Sequence, residues 1–255
     1  MSEPKIFTKN YVMSDDVFVS THGGTTAYLY DRNSSTQWIT TGANSDATTV
    51  DLEVSFYENG VAQTRTIDTM FLLNHNLKEW TLYQWNGSSY VSVTSNNADS
   101  GANRVQALSS FSTTKVKLSM LKTQTINQEK AIGEFILGAL TLDIGSDMAS
   151  YDPKWREKSR EIVLGDGSIH KVVTRAVSGR NNRYEARARF SYLTQAQRDN
   201  LKSIKETGAP FIWQPESVTL PQEVYFVHWA NAWDDKYMAS YKGAGYEVNM
   251  DVKEV

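Results

Sequence analysis

Three runs in this chain alternate apolar and polar residues, and a side-chain period of two is what a strand with one buried face requires, because neighbouring residues point to opposite sides of a sheet. Val50, Leu52, Val54 and Phe56 form the first run. Tyr184, Ala186, Ala188, Phe190 and Tyr192 alternate with Glu185, Arg187, Arg189 and Ser191, and Tyr246, Val248, Met250 and Val252 alternate with Glu247, Asn249, Asp251 and Lys253. A chain patterned in this way is expected to be mainly β. Scaffolding, assembly and surface binding are common uses of such sheets, so a reaction centre needs positive evidence.

Between these runs the punctuation is that of short antiparallel strands. Asn59-Gly60 and Asn86-Gly87 favour tight turns that need positive φ. Ile67–Leu73 is an almost continuous apolar run, Trp80–Trp85 and Tyr90–Val93 flank the second turn, and a polar loop covers 94–103. Val116, Leu118 and Met120 alternate with lysine and serine, and Ile132–Leu137 ends at Gly138. These features predict a sandwich of about eight strands over residues 10–140. Gly145, Pro153 and small polar residues between Thr141 and Lys158 suggest a linker, which divides the chain into domains at 1–145 and 146–255. Beyond it, a hairpin is expected around Gly165-Asp166-Gly167 and a second turn over Ser178–Arg183. One helix, at about 194–207, is marked by the capping box Thr194-Gln-Ala-Gln197, the apolar pair Leu201 and Ile204, and Gly208 before Pro210.

Composition matters here mainly for what it excludes. The chain has no cysteine, so disulfides, thiolate nucleophiles and cysteine metal sites are absent. Its four histidines, His22, His75, His170 and His228, show no ligand spacing on one helix face. No metal, cofactor or catalytic residue is predicted, since no nucleophile elbow, phosphate loop or dinucleotide fingerprint is present. Asp15/Asp16 and Asp234/Asp235 read as solvated acids. Asp31, which precedes a small polar cluster, reads as the anchor of an Asx-type turn. The N-terminus lacks a secretory pattern, and no apolar run is long enough to span a membrane.

Two groups of residues remain as candidates for contact. Arg183, Arg187 and Arg189 share the outward face of one predicted strand, in a stretch (154–202) with 12 Lys or Arg against five Asp or Glu. No aromatic residue interleaves with them, so nucleic acid is not the expected partner and an assembly interface or solvated face is. Trp38, Trp80 and Trp85 are either core aromatics or sugar-stacking contacts.

The segment Tyr28-Leu-Tyr-Asp-Arg-Asn-Ser-Ser-Thr-Gln-Trp38 resembles the opening of discoidin-like, or galactose-binding-like, jelly-roll modules. Ile67–Leu77 and Lys130-Ala-Ile-Gly-Glu-Phe-Ile-Leu-Gly138 are similar to later strands of those modules as they occur in bacteriophage tail proteins. Further on, Leu193-Thr-Gln-Ala-Gln197 leading to Pro210-Phe-Ile-Trp213 resembles a distal-tail or baseplate-hub module related to the tail-tube fold. The resemblance implies an N-terminal jelly-roll sandwich followed by a tail-tube-like sandwich with one flanking helix. It further implies a structural protein of a phage or phage-derived tail tip, made in the host cytoplasm and located in the virion, forming a homo-oligomeric ring beside tube, hub and fibre proteins. The alternative it implies is an adhesin module that recognises host-surface carbohydrate.

Overall fold

The computed structural model describes residues 3–33, 36–145, 148–157, 159–163, 169–173, 182–240 and 243–255. The chain is mainly β, with sandwich-type sheets and, among the described residues, a single α-helix. Its contacts divide it into two compact units, Lys9–Leu140 and a second composed of Met1–Thr8 with Thr141–Val255. The division expected at 145/146 is therefore a nesting. The strand Lys5–Phe7 pairs with Leu142–Asp143 on one side and with Phe211–Gln214 on the other, which puts the first residues inside the second unit's sheet. A strand of three residues is too short to show a periodicity.

In the first unit, a five-stranded antiparallel sheet runs in the order Val17–Ser20, Val50–Ser55, Lys115–Thr123, Leu77–Trp85, Tyr90–Asn96. A three-stranded sheet runs Arg104–Thr113, Arg65–Leu73, Glu134–Gly138. Eight strands in two sheets is the sandwich architecture expected for this part. Val50, Leu52 and Val54 are buried while Asp51, Glu53 and Ser55 are not, so the alternation does mark a half-buried strand. The core they enter contains Trp38, Phe56, Trp80 and Phe135, each of which contributes roughly 1.5–3 kcal/mol by leaving water. Asn59 and Gly60, at φ 52° and 77°, close a two-residue hairpin as their sequence demands. The strand Arg104–Thr113 lacks a predictive pattern because it lies at a sheet edge, most of its side chains are not buried, and its register shifts between Ala107 and Phe111.

The main sheet of the second unit runs in the order Leu142–Asp143, Lys5–Phe7, Phe211–Gln214, Tyr225–Trp229, Gly243–Glu254, Asn182–Leu193, Met148–Glu157, with Asp235–Ser240 also paired to Gly243–Glu254. The helix Gln195–Thr207 has the full capping box at Thr194 and Gln197, ends on Gly208 at φ 63°, and buries Leu201 and Ile204 against the sheet's apolar residues. Residues 141–158 are not a linker. They hold Leu142–Asp143 and the whole edge strand Met148–Glu157, in which Pro153 is tolerated because an edge leaves one side of the backbone unpaired. Ser159–Val163 and Ile169–Val173 form the expected hairpin pair, while its turn and most of Ser178–Arg183 lie outside the described residues.

The clean alternation over 184–192 ends early. Tyr192 has φ 64° and is 38% exposed, and Leu193 takes the inward place across a register shift that begins after Phe190. Gly245 makes this bulge feasible, since a Cβ built on it would lie 2.6 Å from the Tyr192 carbonyl carbon and 2.7 Å from its Cα. Both contacts are with backbone, which has little freedom to retreat. Gly245→Ala is expected to cost about 1–3 kcal/mol of stability through this clash, read as a lower midpoint in urea unfolding. A midpoint equal to that of the wild type would show that the bulge does not depend on this close approach.

Candidate functional site

Trp38 and Trp80 are core residues with 0% and 1% exposure. Trp80 donates its indole N–H to Asp99 at 3.2 Å, and Trp38 lies so close beneath Gly24 that a Cβ there would sit 2.1 Å from its Nε1. Neither ring can stack on an outside molecule. Trp85 is only half buried, on the outward face of the five-stranded sheet.

Four neighbouring strands build that face. Asp51 and Glu53 come from Val50–Ser55, Lys115 and Lys117 from Lys115–Thr123, Tyr83 and Trp85 from Leu77–Trp85, and Tyr90 from Tyr90–Asn96. Register places Lys117 between Glu53 and Tyr83 and sets Trp85 opposite Tyr90. The Lys115 ammonium lies 4.2 Å from the Trp85 ring centre and 3.3 Å from Glu53, and that of Lys117 lies 5.1 Å from Tyr83, 4.9 Å from Tyr90 and 3.3 Å from Asp51. Trp85 and Tyr90 meet edge to face with ring centres 5.2 Å apart. The Tyr90 hydroxyl donates to the Glu53 carboxylate; burial first, then that carboxylate, push its pKa up, so the phenol stays protonated. The result is a surface of ring faces bordered by ammonium and carboxylate groups. It can stack on an apolar face and exchange hydrogen bonds at the rim, and it shows no nucleophile held by a base.

Sequence alone singled out Trp85 in this group and missed Tyr83, Tyr90, Lys115, Lys117, Asp51 and Glu53. Each occupies an outward position of an alternating run, which is a legible signal. That the runs are sheet neighbours in this order is not.

The three candidate arginines are all engaged within their own sheet. Arg187 grips Asp251 through Nε at 2.8 Å and Nη2 at 3.1 Å. Arg189 donates to Glu247, and Arg183 gives its Nε–H to the Glu254 carbonyl at 2.5 Å. Glu247, whose place in the alternation suggested an outward solvated residue, is 3% exposed because Arg189 and Lys236 close over it. Burial acts to raise its pKa, but the two cations outweigh that and hold the carboxyl below the usual range.

Among the described residues no three His, Asp or Glu side chains stand together as metal ligands. His75 is buried, accepts the Leu77 N–H at 3.1 Å through Nδ1, and leaves Nε2 4.0 Å from Asp99. The side chain of His170 lies outside the described residues. Asp31 does anchor the expected turn, accepting the Asn33 N–H at 2.9 Å and the Thr36 hydroxyl at 2.7 Å. Beside it Glu134 is 5% exposed, with neither carboxyl oxygen in a hydrogen bond of standard geometry. Two carboxyls and a hydroxyl are donors of the kind hard cations take, yet they fall short of a full ligand set and the Arg32 charge adjoins them.

Burial, with the Asp31 charge adding to it, raises the Glu134 pKa to about 8. The folded state thus binds a proton that the unfolded chain releases near 4.5, so this contribution to stability is complete below about 4.5 and is lost as pH rises through about 8. In buffer free of divalent cations, wild-type stability is expected to fall across that window, and Glu134→Gln to remove the slope. Equal slopes in the two proteins, measured by urea unfolding from pH 4 to 9, would exclude a protonated Glu134.

No protein-family model matches the chain, and no curated protein does. Among solved structures, a carbohydrate-binding module from Clostridium perfringens in complex with GalNAc-β-1,3-galactose aligns at 17% identity over 51% of this chain and 100% of its own, with a TM-score of 0.43. A family 32 carbohydrate-binding module of C. perfringens in complex with galactose aligns at 14% identity over 52% and 98%, with a TM-score of 0.43. A chitosan-binding module from Paenibacillus sp. aligns at 15% identity over 51% and 100%, again at 0.43. Likeness at this level assigns no function.

Proposed function

We propose that the protein is a binding protein whose first unit recognises carbohydrate through the face around Trp85. The observation that carries this reading is the juxtaposition of Trp85, Tyr83 and Tyr90 with Lys115, Lys117, Asp51 and Glu53 on one sheet face. A pyranose offers one apolar C–H face and a rim of hydroxyls, and that surface offers ring faces with donors and acceptors beside them. Lys115 covers Trp85 from solvent, and its flexible stem lets a sugar take its place. On a glycan array the wild type is expected to give reproducible binding, which Trp85→Ala weakens about tenfold or more. Trp85 is not a core residue, so the variant should keep its fold. An array with no binder, or binding that survives Trp85→Ala, would refute this reading.

A second reading is compatible with the nested chain path. The first unit is inserted between Phe7 and Leu142 of a sheet that also holds the strand–helix–strand passage from Leu193 to Trp213. An inserted module can be displayed while its host module takes part in assembly. The reading itself rests on the resemblance of Leu193-Thr-Gln-Ala-Gln197 and Pro210-Phe-Ile-Trp213 to tail modules: a structural role in a phage or phage-derived tail tip, with the protein in the virion after synthesis in the host cytoplasm, in a ring that contacts tube, hub or fibre proteins. Mass spectrometry of purified particles tests it, and particles that lack the chain would end it. The two readings are compatible, since a tail-tip protein can also touch surface glycans.

A further inference from the structure

Across the outer face of the second unit's sheet, three neighbouring strands carry two rows of charge with opposite pattern. Lys154, Glu185 and Lys253 lie in one row and Asp152, Arg187 and Asp251 in the next. Sign alternates along each row and, from one row to the other, along each strand. These six residues line a shallow open hollow of about 240 Å³. Their charges pair within the chain, Lys154 with Asp152 at 2.8 Å, Arg187 with Asp251 at 2.8 Å and Lys253 with Glu185 at 3.9 Å. The Arg187 side chain is nonetheless 71% exposed, and Asp251 takes only two of its five N–H donors.

A surface of arbitrary charge laid on this checkerboard meets like signs as often as unlike ones. A second copy of the same face, turned by half a rotation about an axis that crosses the strands between the two rows, sets all six of these charges against unlike signs, while Arg183 and Arg189 of the flanking rows, each already bonded within its own sheet, come opposite each other. Lys154 then faces Asp152 of the second copy, Glu185 faces Arg187, Lys253 faces Asp251, and the same three contacts recur in reverse. A half rotation about an axis along the strands would instead set Glu185 against Glu185 and Arg187 against Arg187. The pattern therefore selects one symmetric arrangement.

We propose that this face pairs two copies of the chain about a two-fold axis running across the strands. Such an interface is isologous and closes at two copies, so it is distinct from ring assembly and independent of the glycan reading. Its contacts are exposed ion pairs, each worth little alone, so they set register more than affinity; association is weak and screened by salt.

Sedimentation of the full chain tests the proposal. Self-association is expected at about 20 mM salt and is expected to disappear near 500 mM, where the Debye length falls to a few ångströms. Arg187→Glu and Glu185→Arg should each raise the dissociation constant about tenfold or more, because each sets like charges against each other across the axis. An equimolar mixture of the two variants should pair again, since the introduced carboxylate meets the introduced guanidinium. A wild type that stays monomeric at low salt, association that both variants retain, or a mixture that restores nothing would overturn the proposal. Should either variant fail to fold, the salt series on the wild type decides by itself.

Discussion

The fold depends on a strand of three residues. Lys5–Phe7 lies between Leu142–Asp143 and Phe211–Gln214, and through it the chain's first residues help build the second unit's sheet before the sandwich over Lys9–Leu140 begins. The Thr8 N–H donates to the Thr141 hydroxyl at 2.9 Å, so the chain leaves this unit and re-enters it at adjacent points. Within the first unit the Tyr11 N–H donates to the Leu137 carbonyl at 2.8 Å, which likewise brings its two ends together. A domain inserted in this way has both termini tied to a host sheet. Fraying at one end is then opposed by the pairing at the other.

Both units solve the same problem on the outward side of an antiparallel sheet, where charged side chains on neighbouring strands stand about 5 Å apart. In the first unit the solution is mixed. Lys115 and Lys117 bridge carboxylates on one neighbouring strand and aromatic rings on another, which leaves a surface with apolar and polar character side by side. In the second unit it is purely ionic, and Arg187 sits at the crossing of a row and a strand with Asp152 and Asp251 as its neighbours. A slip of two residues between Asn182–Leu193 and Gly243–Glu254 would break the Glu185/Lys253 and Arg187/Asp251 pairs and set either Glu185 opposite Asp251 or Arg187 opposite Lys253. The arginines that looked like an outward-facing patch thus first serve strand register, and only the exposed parts of Arg187 and Arg189 remain for anything outside.

Much of the fold was legible because burial on one face writes a period of two into the sequence. Val50–Ser55, Lys115–Thr123 and Gly243–Glu254 follow that pattern, and the helix announced itself through Thr194, Gln197 and Gly208. Lys5–Phe7, Arg104–Thr113 and Asp235–Ser240 did not, since a very short strand or one at an edge buries too little to impose a pattern. Tyr192 obeyed the pattern and still left the core, because a bulge opposite Gly245 shifted the inward place to Leu193.

By itself the sequence determined the class of the protein: antiparallel sheets, one capped helix, no thiol chemistry and no local catalytic motif. These follow from periodicity, capping and composition, which are properties of consecutive residues. Tertiary structure decided which side chains share a surface. It buried Trp38 and Trp80, gathered Trp85 with Tyr83, Tyr90 and two lysines, and spent Arg187 and Arg189 on carboxylates and Arg183 on a backbone carbonyl within their own sheet. The physical reason is that strand order and register join residues far apart in the chain, and nothing in a strand's own alternation states which strand will lie beside it.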